Sequence, residues 1–128
     1  MIRDTFQPEL DEFAGDLESY ATGSYLSEED RENWFEPIDV AAVAEVRDVV
    51  ERYFAALDAL SAQREPESQE ALMAVVDRVT ADLNAVNANH DDAVLEPEER
   101  ETLVPLLIRA ARAAGLDEGH DDLPERDF

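Results

Sequence analysis

The stretch Asp39–Gln63 carries the clearest hydrophobic pattern in the chain. Val43, Val46, Val50, Tyr53, Leu57 and Leu60 recur at alternating steps of three and four, a spacing that gathers them on one face of an α-helix. Val49, Phe54 and Ala56 widen the stripe beyond a two-stranded seam, so this helix is expected to face several neighbours. Asp39 suits the N-cap, and Ile38 and Val43 are spaced to form a hydrophobic staple across it. Asp48 and Arg52 form an i,i+4 pair on the outer face. The pattern holds to about Ala62, a length of roughly 36 Å at about 1.5 Å per residue.

Three further stripes have the same period. Phe6, Leu10, Phe13, Leu17 and Tyr20 predict a helix that opens near Pro8, after a loose lead-in at Met1–Gln7, and ends at Thr22-Gly23-Ser24. Leu72, Val76, Val79, Leu83 and Val86, with Val75 alongside, predict a helix that opens at Pro66; Asn87–Leu95 then forms a polar break. Leu103, Leu107, Ala110 and Ala114, broadened by Leu106 and Ile108, predict a last helix from Pro97 to a Gly115 C-cap, kinked by Pro105 near Glu101. Between the first two, Ser27-Glu28-Glu29-Asp30 has the form of an N-cap followed by acids, opening a short helix that Pro37 stops. Tyr20, Tyr25, Trp34 and Phe35 make that connection aromatic-rich, suited to a lid over the core or to a partner-contact anchor.

Nothing in the pattern has the period of a strand. Four long stripes with short connections predict an all-α fold, an antiparallel four-helix bundle with one short extra helix in the first crossover. Residues 1–116 form a single helical domain in this reading, and residues 117–128 an acidic, flexible tail without periodicity.

Composition leaves the fold unchanged and narrows the chemistry. At 128 residues with 45% hydrophobic content, the chain can bury one core. Lacking cysteine, it has no disulfide, thiolate metal ligand or thiol nucleophile. No segment resembles a signal peptide or a membrane span, so a soluble cytoplasmic protein is expected. The charge is the unusual quantity: 33 acids face ten bases, all of them Arg, for a formal net charge of −23. A GC-rich genome or a salt-adapted proteome also gives such a composition, but residues 1–39 and 117–128 hold eighteen of those acids and only three of the Arg, where uniform salt adaptation would spread the charge more evenly. Such a chain repels nucleic acid and anionic membranes and favours a basic protein or basic groove, or metal ions.

Two acid-rich patterns have the spacing of cation sites. Glu28-Glu29-x-x-Glu32 is followed, after twelve residues, by Glu45-x-x-Asp48. If their helices face each other, these pairs have the oxygen chemistry to hold Mg²⁺. The pattern resembles that of the all-α NTP pyrophosphohydrolases, the MazG and dimeric dUTPase group. The resemblance covers only Glu28, Glu29, Glu32, Glu45 and Asp48, and it implies Mg-dependent hydrolysis of a nucleotide. Against it, the first pair lies on a short helix where that family has a long one, and no basic cluster is present for phosphate.

The second pattern, Asn87 to Glu98, places oxygen-bearing side chains at Asn87, Asn89 and Asp91 and a Glu at its twelfth position, Glu98. It resembles a single EF-hand calcium loop, with Asn at the first position and Asp92 where that loop has Gly. His90 and His120 lie in polar stretches without Glu-x-x-His partners, and nucleophile elbows, phosphate loops and zinc motifs are absent.

The leading expectation requires no catalysis and no cofactor. Like-charged i,i+4 rows, Glu12/Asp16 and Glu28/Glu32, with Glu9 beside the first, would give an acidic face for a basic partner and approximate the phosphates of a nucleic acid, as DNA-mimic proteins do. The alternatives are the Mg-dependent pyrophosphohydrolase and the calcium loop. The pattern fixes no oligomeric state.

Overall fold

The computed structural model describes residues 2–22, 40–61, 69–90, 94–95, 97–116, 123, 126 and 128. Among them are four α-helices and no strand: α1 (Ile2–Thr22), α2 (Val40–Ser61), α3 (Gln69–Asn89) and α4 (Pro97–Ala113). The short helix expected around Glu28–Phe35, the Asp39 cap with its Ile38 staple, and the Pro66 start lie outside the described residues.

The α2 stripe behaves as its width predicts. Val43, Val46, Val49, Val50, Tyr53, Phe54 and Leu57 are all buried, and α2 packs against each of the other three helices. Helix α1 lies against α2 and α4, and α3 packs on α2. Leu10, Phe54, Leu57, Leu72, Leu83, Leu103 and Leu107 are wholly inaccessible in one continuous core. Removing such a side chain down to Ala costs about 2–5 kcal/mol. Leu123 and Phe128, both from the stretch expected to form a flexible tail, are buried with this core.

Helix α1 begins earlier than the sequence suggests. Instead of a loose lead-in, Ile2 and Phe6 continue the stripe and are buried. The start of α1 is met by a side chain distant in the sequence. Asp58, in the last turn of α2, accepts hydrogen bonds from the backbone N–H groups of Ile2 (2.6 Å) and Arg3 (3.2 Å). A carboxylate there satisfies two of the helix's free donors and meets the positive end of its dipole. Pro8 sits inside the helix, where the carbonyl of Asp4 goes without its usual N–H partner; both residues are exposed. Farther along, Tyr20 drifts out of the stripe to 37% exposure, while Ala21 is buried in its place. A strict alternation of three and four lags behind the true 3.6-residue turn, so the last member of a long stripe misses the core.

Helix α3 runs on through Asn87, where the sequence suggested a polar break. Asn87 is only 3% exposed, and its side-chain oxygen accepts from the backbone N–H groups of Val94 (3.1 Å) and Leu95 (2.9 Å). Thr80, also buried and absent from the stripe, donates its hydroxyl to the Val76 carbonyl one turn back (2.8 Å), a local bond that lets a polar side chain enter the core.

Helix α4 ends as its Gly115 suggests. Gly115 has a positive φ of 117°. Its N–H donates to the Arg112 carbonyl (3.0 Å), and the N–H of Leu116 donates to that of Ala111 (3.0 Å). This is the Schellman arrangement, with Leu116 buried beyond the glycine. Helix α4 is continuous through Pro105, which lies with Glu101 on its exposed side. Its packing on α2 includes a buried polar contact, the Tyr53 hydroxyl donating to the Leu107 carbonyl at 2.7 Å. Burial pushes the Tyr53 phenol well above its ordinary range.

Candidate acidic interaction face

Helix α1 is the most acidic of the described helices, with six acids and a single Arg along Ile2–Thr22. Four of these carboxylates fall into two groups. Those facing the helix neighbours are neutralised. Glu9 pairs with Arg109 of α4 at 2.9 Å, and the same guanidinium lies 6.0 Å from the centre of the Phe6 ring. Asp11 pairs with Arg47 of α2, and Arg47 also approaches Glu51 of its own helix at 3.4 Å. Gln7 completes this group, donating from Nε2 to Asp11 (3.0 Å) and Glu51 (3.4 Å). The Gln7 hydrogen bond first, and then the Arg47 guanidinium, hold the Asp11 carboxyl below its usual range. Little of this network was legible in the chain, because its partners lie 36 and 44 residues apart.

The second group points outward. Glu12 and Asp16 are exposed and have no ion pair with a described residue. Asp16 lies on the lip of a cleft of about 460 Å³ between α1 and α4, lined by Phe13, Leu17 and Tyr20 from one helix and Pro97, Glu98, Glu99 and Thr102 from the other. Phe13 and Leu17 are 5% and 3% exposed, so the cleft has an apolar floor that is part of the core. Glu98 is exposed without an ion pair among the described residues, and Glu99 is half-buried. Glu98 and Glu99, in the first turn of α4, complement its dipole. Their convergence with Asp16 depends on helix packing that no local pattern encodes. Of the five residues expected to form the acidic face, Glu12 and Asp16 therefore lie open, Glu9 is engaged, and Glu28 and Glu32 lie outside the described residues.

The acids of the two cation patterns are placed as follows. Glu45 meets the half-buried His90 across the α2–α3 boundary, with Oε2 and Nε2 at 2.5 Å. Asp48 is held by Arg52 at 3.0 Å, the i,i+4 pair read from the sequence. Glu28, Glu29 and Glu32, which would complete a Mg²⁺ site, lie outside the described residues. In the calcium-loop pattern, Asn87 and Asn89 belong to the last turn of α3. The Asn87 oxygen already faces two backbone donors, which is its full acceptor capacity. Glu98 lines the α1–α4 cleft, and Asp91 is outside the described residues. Among the described residues no group of three or more His, Asp or Glu side chains is placed to hold a metal ion.

A smaller groove of about 260 Å³ runs between α2 and α3, with Val49, Tyr53, Ala56, Val75 and Val79 as its apolar wall. Its charges are self-compensated, Arg52 by Asp48 (3.0 Å) and Arg78 by Asp82 (4.0 Å). No described helix is long and apolar enough to cross a membrane. No family model matches the chain, and neither a curated protein nor a solved structure shows significant similarity to it.

Proposed function

We propose that the chain is a small acidic interaction or regulatory protein, non-catalytic and cytoplasmic, that binds a basic protein or a basic groove through the outer face of α1 and the adjoining start of α4. The observation that carries this reading is the sorting of charges. Arg47, Arg52, Arg78 and Arg109 are each engaged by carboxylates of the fold, and Arg3 and Arg100, which have no ion pair among the described residues, are not part of the α1–α4 cleft lining. Glu12, Asp16 and Glu98 have no such partner among the described residues. An uncompensated patch of one sign steers and selects a partner of the other sign, and it repels nucleic acid and anionic lipid. The i,i+4 row Glu12/Asp16 supports the narrower version, in which the face substitutes for the phosphates of a nucleic acid in a basic groove.

The full architecture belongs to the same proposal: an antiparallel bundle with a short helix in the first crossover. The pairs Ile2–Asp58, Gln7–Glu51 and Asp11–Arg47 support opposed directions for α1 and α2, since rising positions in one meet falling positions in the other.

The test is a titration of the protein into a fluorescent, disordered Arg-rich peptide. Saturable binding is expected at about 20 mM salt, weakening at least about tenfold by about 200 mM as screening takes hold. An absence of binding at low salt, or an affinity indifferent to salt, removes the reading.

A further inference from the structure

We propose that the cleft between α1 and α4 is an anchor site, and that its occupant is an amphipathic basic segment of the partner, with an apolar side chain seated on Phe13 and Leu17 and flanking Arg or Lys side chains on the rim. The inference deepens the acidic-interaction reading and rests on it.

Three observations select this occupant. The cleft, at about 460 Å³, falls within the range of about 300–1,000 Å³ typical of ligand sites. Its floor is apolar, and its wall carries Tyr20, one of only two large hydrophobic side chains exposed among the described residues. Its rim carries Asp16 and Glu98, neither with a described cationic partner, and the half-buried Glu99. A purely polar cation would leave the floor uncovered. An uncharged apolar ligand would take water from the carboxylates and return nothing. Both demands are met by an apolar anchor flanked by cations, the arrangement found at the centre and rim of protein interfaces. The α2–α3 groove makes the contrast. It too has an apolar wall, but its Arg–Asp pairs leave no net charge to complement.

The test compares two labelled synthetic peptides of about 18 residues and equal charge, about six Arg each, one with Leu and Trp along a helical face and one with those positions changed to Gln and Ser. At low salt the amphipathic peptide should bind at least about tenfold more tightly, the advantage of burying one large side chain. Thr102→Trp, at an exposed position on the cleft wall, should abolish that preference while leaving the weaker, salt-sensitive binding of the polar peptide intact, with circular dichroism and Tm unchanged. Equal affinity of the two peptides for the unmodified protein overturns the anchor and leaves the acidic face standing; a cleft already filled by the chain itself would give this result. A preference that survives Thr102→Trp overturns the assignment to this cleft. Failure of both peptides to bind overturns the acidic-interaction reading as well.

Discussion

Replacing Asn87 by Ala removes the side-chain oxygen that accepts from the backbone N–H groups of Val94 and Leu95. Both donors belong to residues that are almost fully buried, at 1% and 3% exposure, so water cannot readily take over. A buried donor left without an acceptor costs about 1–3 kcal/mol. Two donors, partly relieved by local relaxation, set the expected loss at about 2–4 kcal/mol, a large share of the roughly 5–15 kcal/mol that stabilises a typical domain. Urea unfolding followed by circular dichroism measures it. With a slope of about 1–3 kcal/mol per molar, a loss of about 3 kcal/mol lowers the midpoint by roughly 1–3 M. Asn87→Asp keeps an acceptor in place and should lose less than half as much. A midpoint for Asn87→Ala within about 0.3 M of the parent would refute the capping role. A calcium-dependent rise in the parent midpoint, abolished in Asn87→Ala, would instead assign the side chain to a cation.

Three other perturbations follow from particular contacts. Burial raises the Tyr53 pKa in the folded state, so the folded protein keeps a proton that the unfolded chain releases above about pH 10. Stability is therefore intact below that pH and falls as pH rises beyond it, by up to about 1.4 kcal/mol per pH unit. Tyr53→Phe should remove that alkaline dependence while losing about 1 kcal/mol at neutral pH, and an unchanged alkaline limb in the variant would contradict this. Asp58→Ala uncaps α1 from a distance and should cost about 0.5–2 kcal/mol in thermal or urea unfolding, with faster amide exchange confined to the first turn of α1; uniform exchange along the helix would point to another role. Gly15 is exposed within α1 and has open space where a Cβ would lie, so Gly15→Ala should stabilise by about 0.5–1 kcal/mol; a destabilised variant would show that something does occupy that space.

The four helices were legible because burial imposes a period, and Val43 to Leu57 or Leu72 to Leu83 repeat it often enough to be unmistakable. Gly115 was legible because its positive φ is a backbone requirement that residue type alone announces. Where the helix ends depend on tertiary partners, the sequence was silent. Ile2 opens α1 because Asp58, 56 positions away, supplies the cap. Asn87 looked like part of a polar turn because its type favours turns, yet one buried side chain makes the close of α3 compact. The candidate face divides the same way. That Glu12 and Asp16 face outward follows from their spacing, whereas the neutralisation of Glu9 by Arg109 and the placing of Asp16 and Glu98 along one cleft arise only from how α1 and α4 pack.

The central claim is that binding depends on where the charge lies, not on its total. Asp16→Asn with Glu98→Gln removes the two exposed charges of the cleft rim; Glu70→Gln with Asp77→Asn removes the same charge from exposed positions on α3. The affinity of each double variant for the basic amphipathic peptide, at low salt, is the most direct measurement. The account predicts about a tenfold or greater weakening for the rim variant and a change of less than about twofold for the α3 variant. Equal losses in the two variants would contradict it.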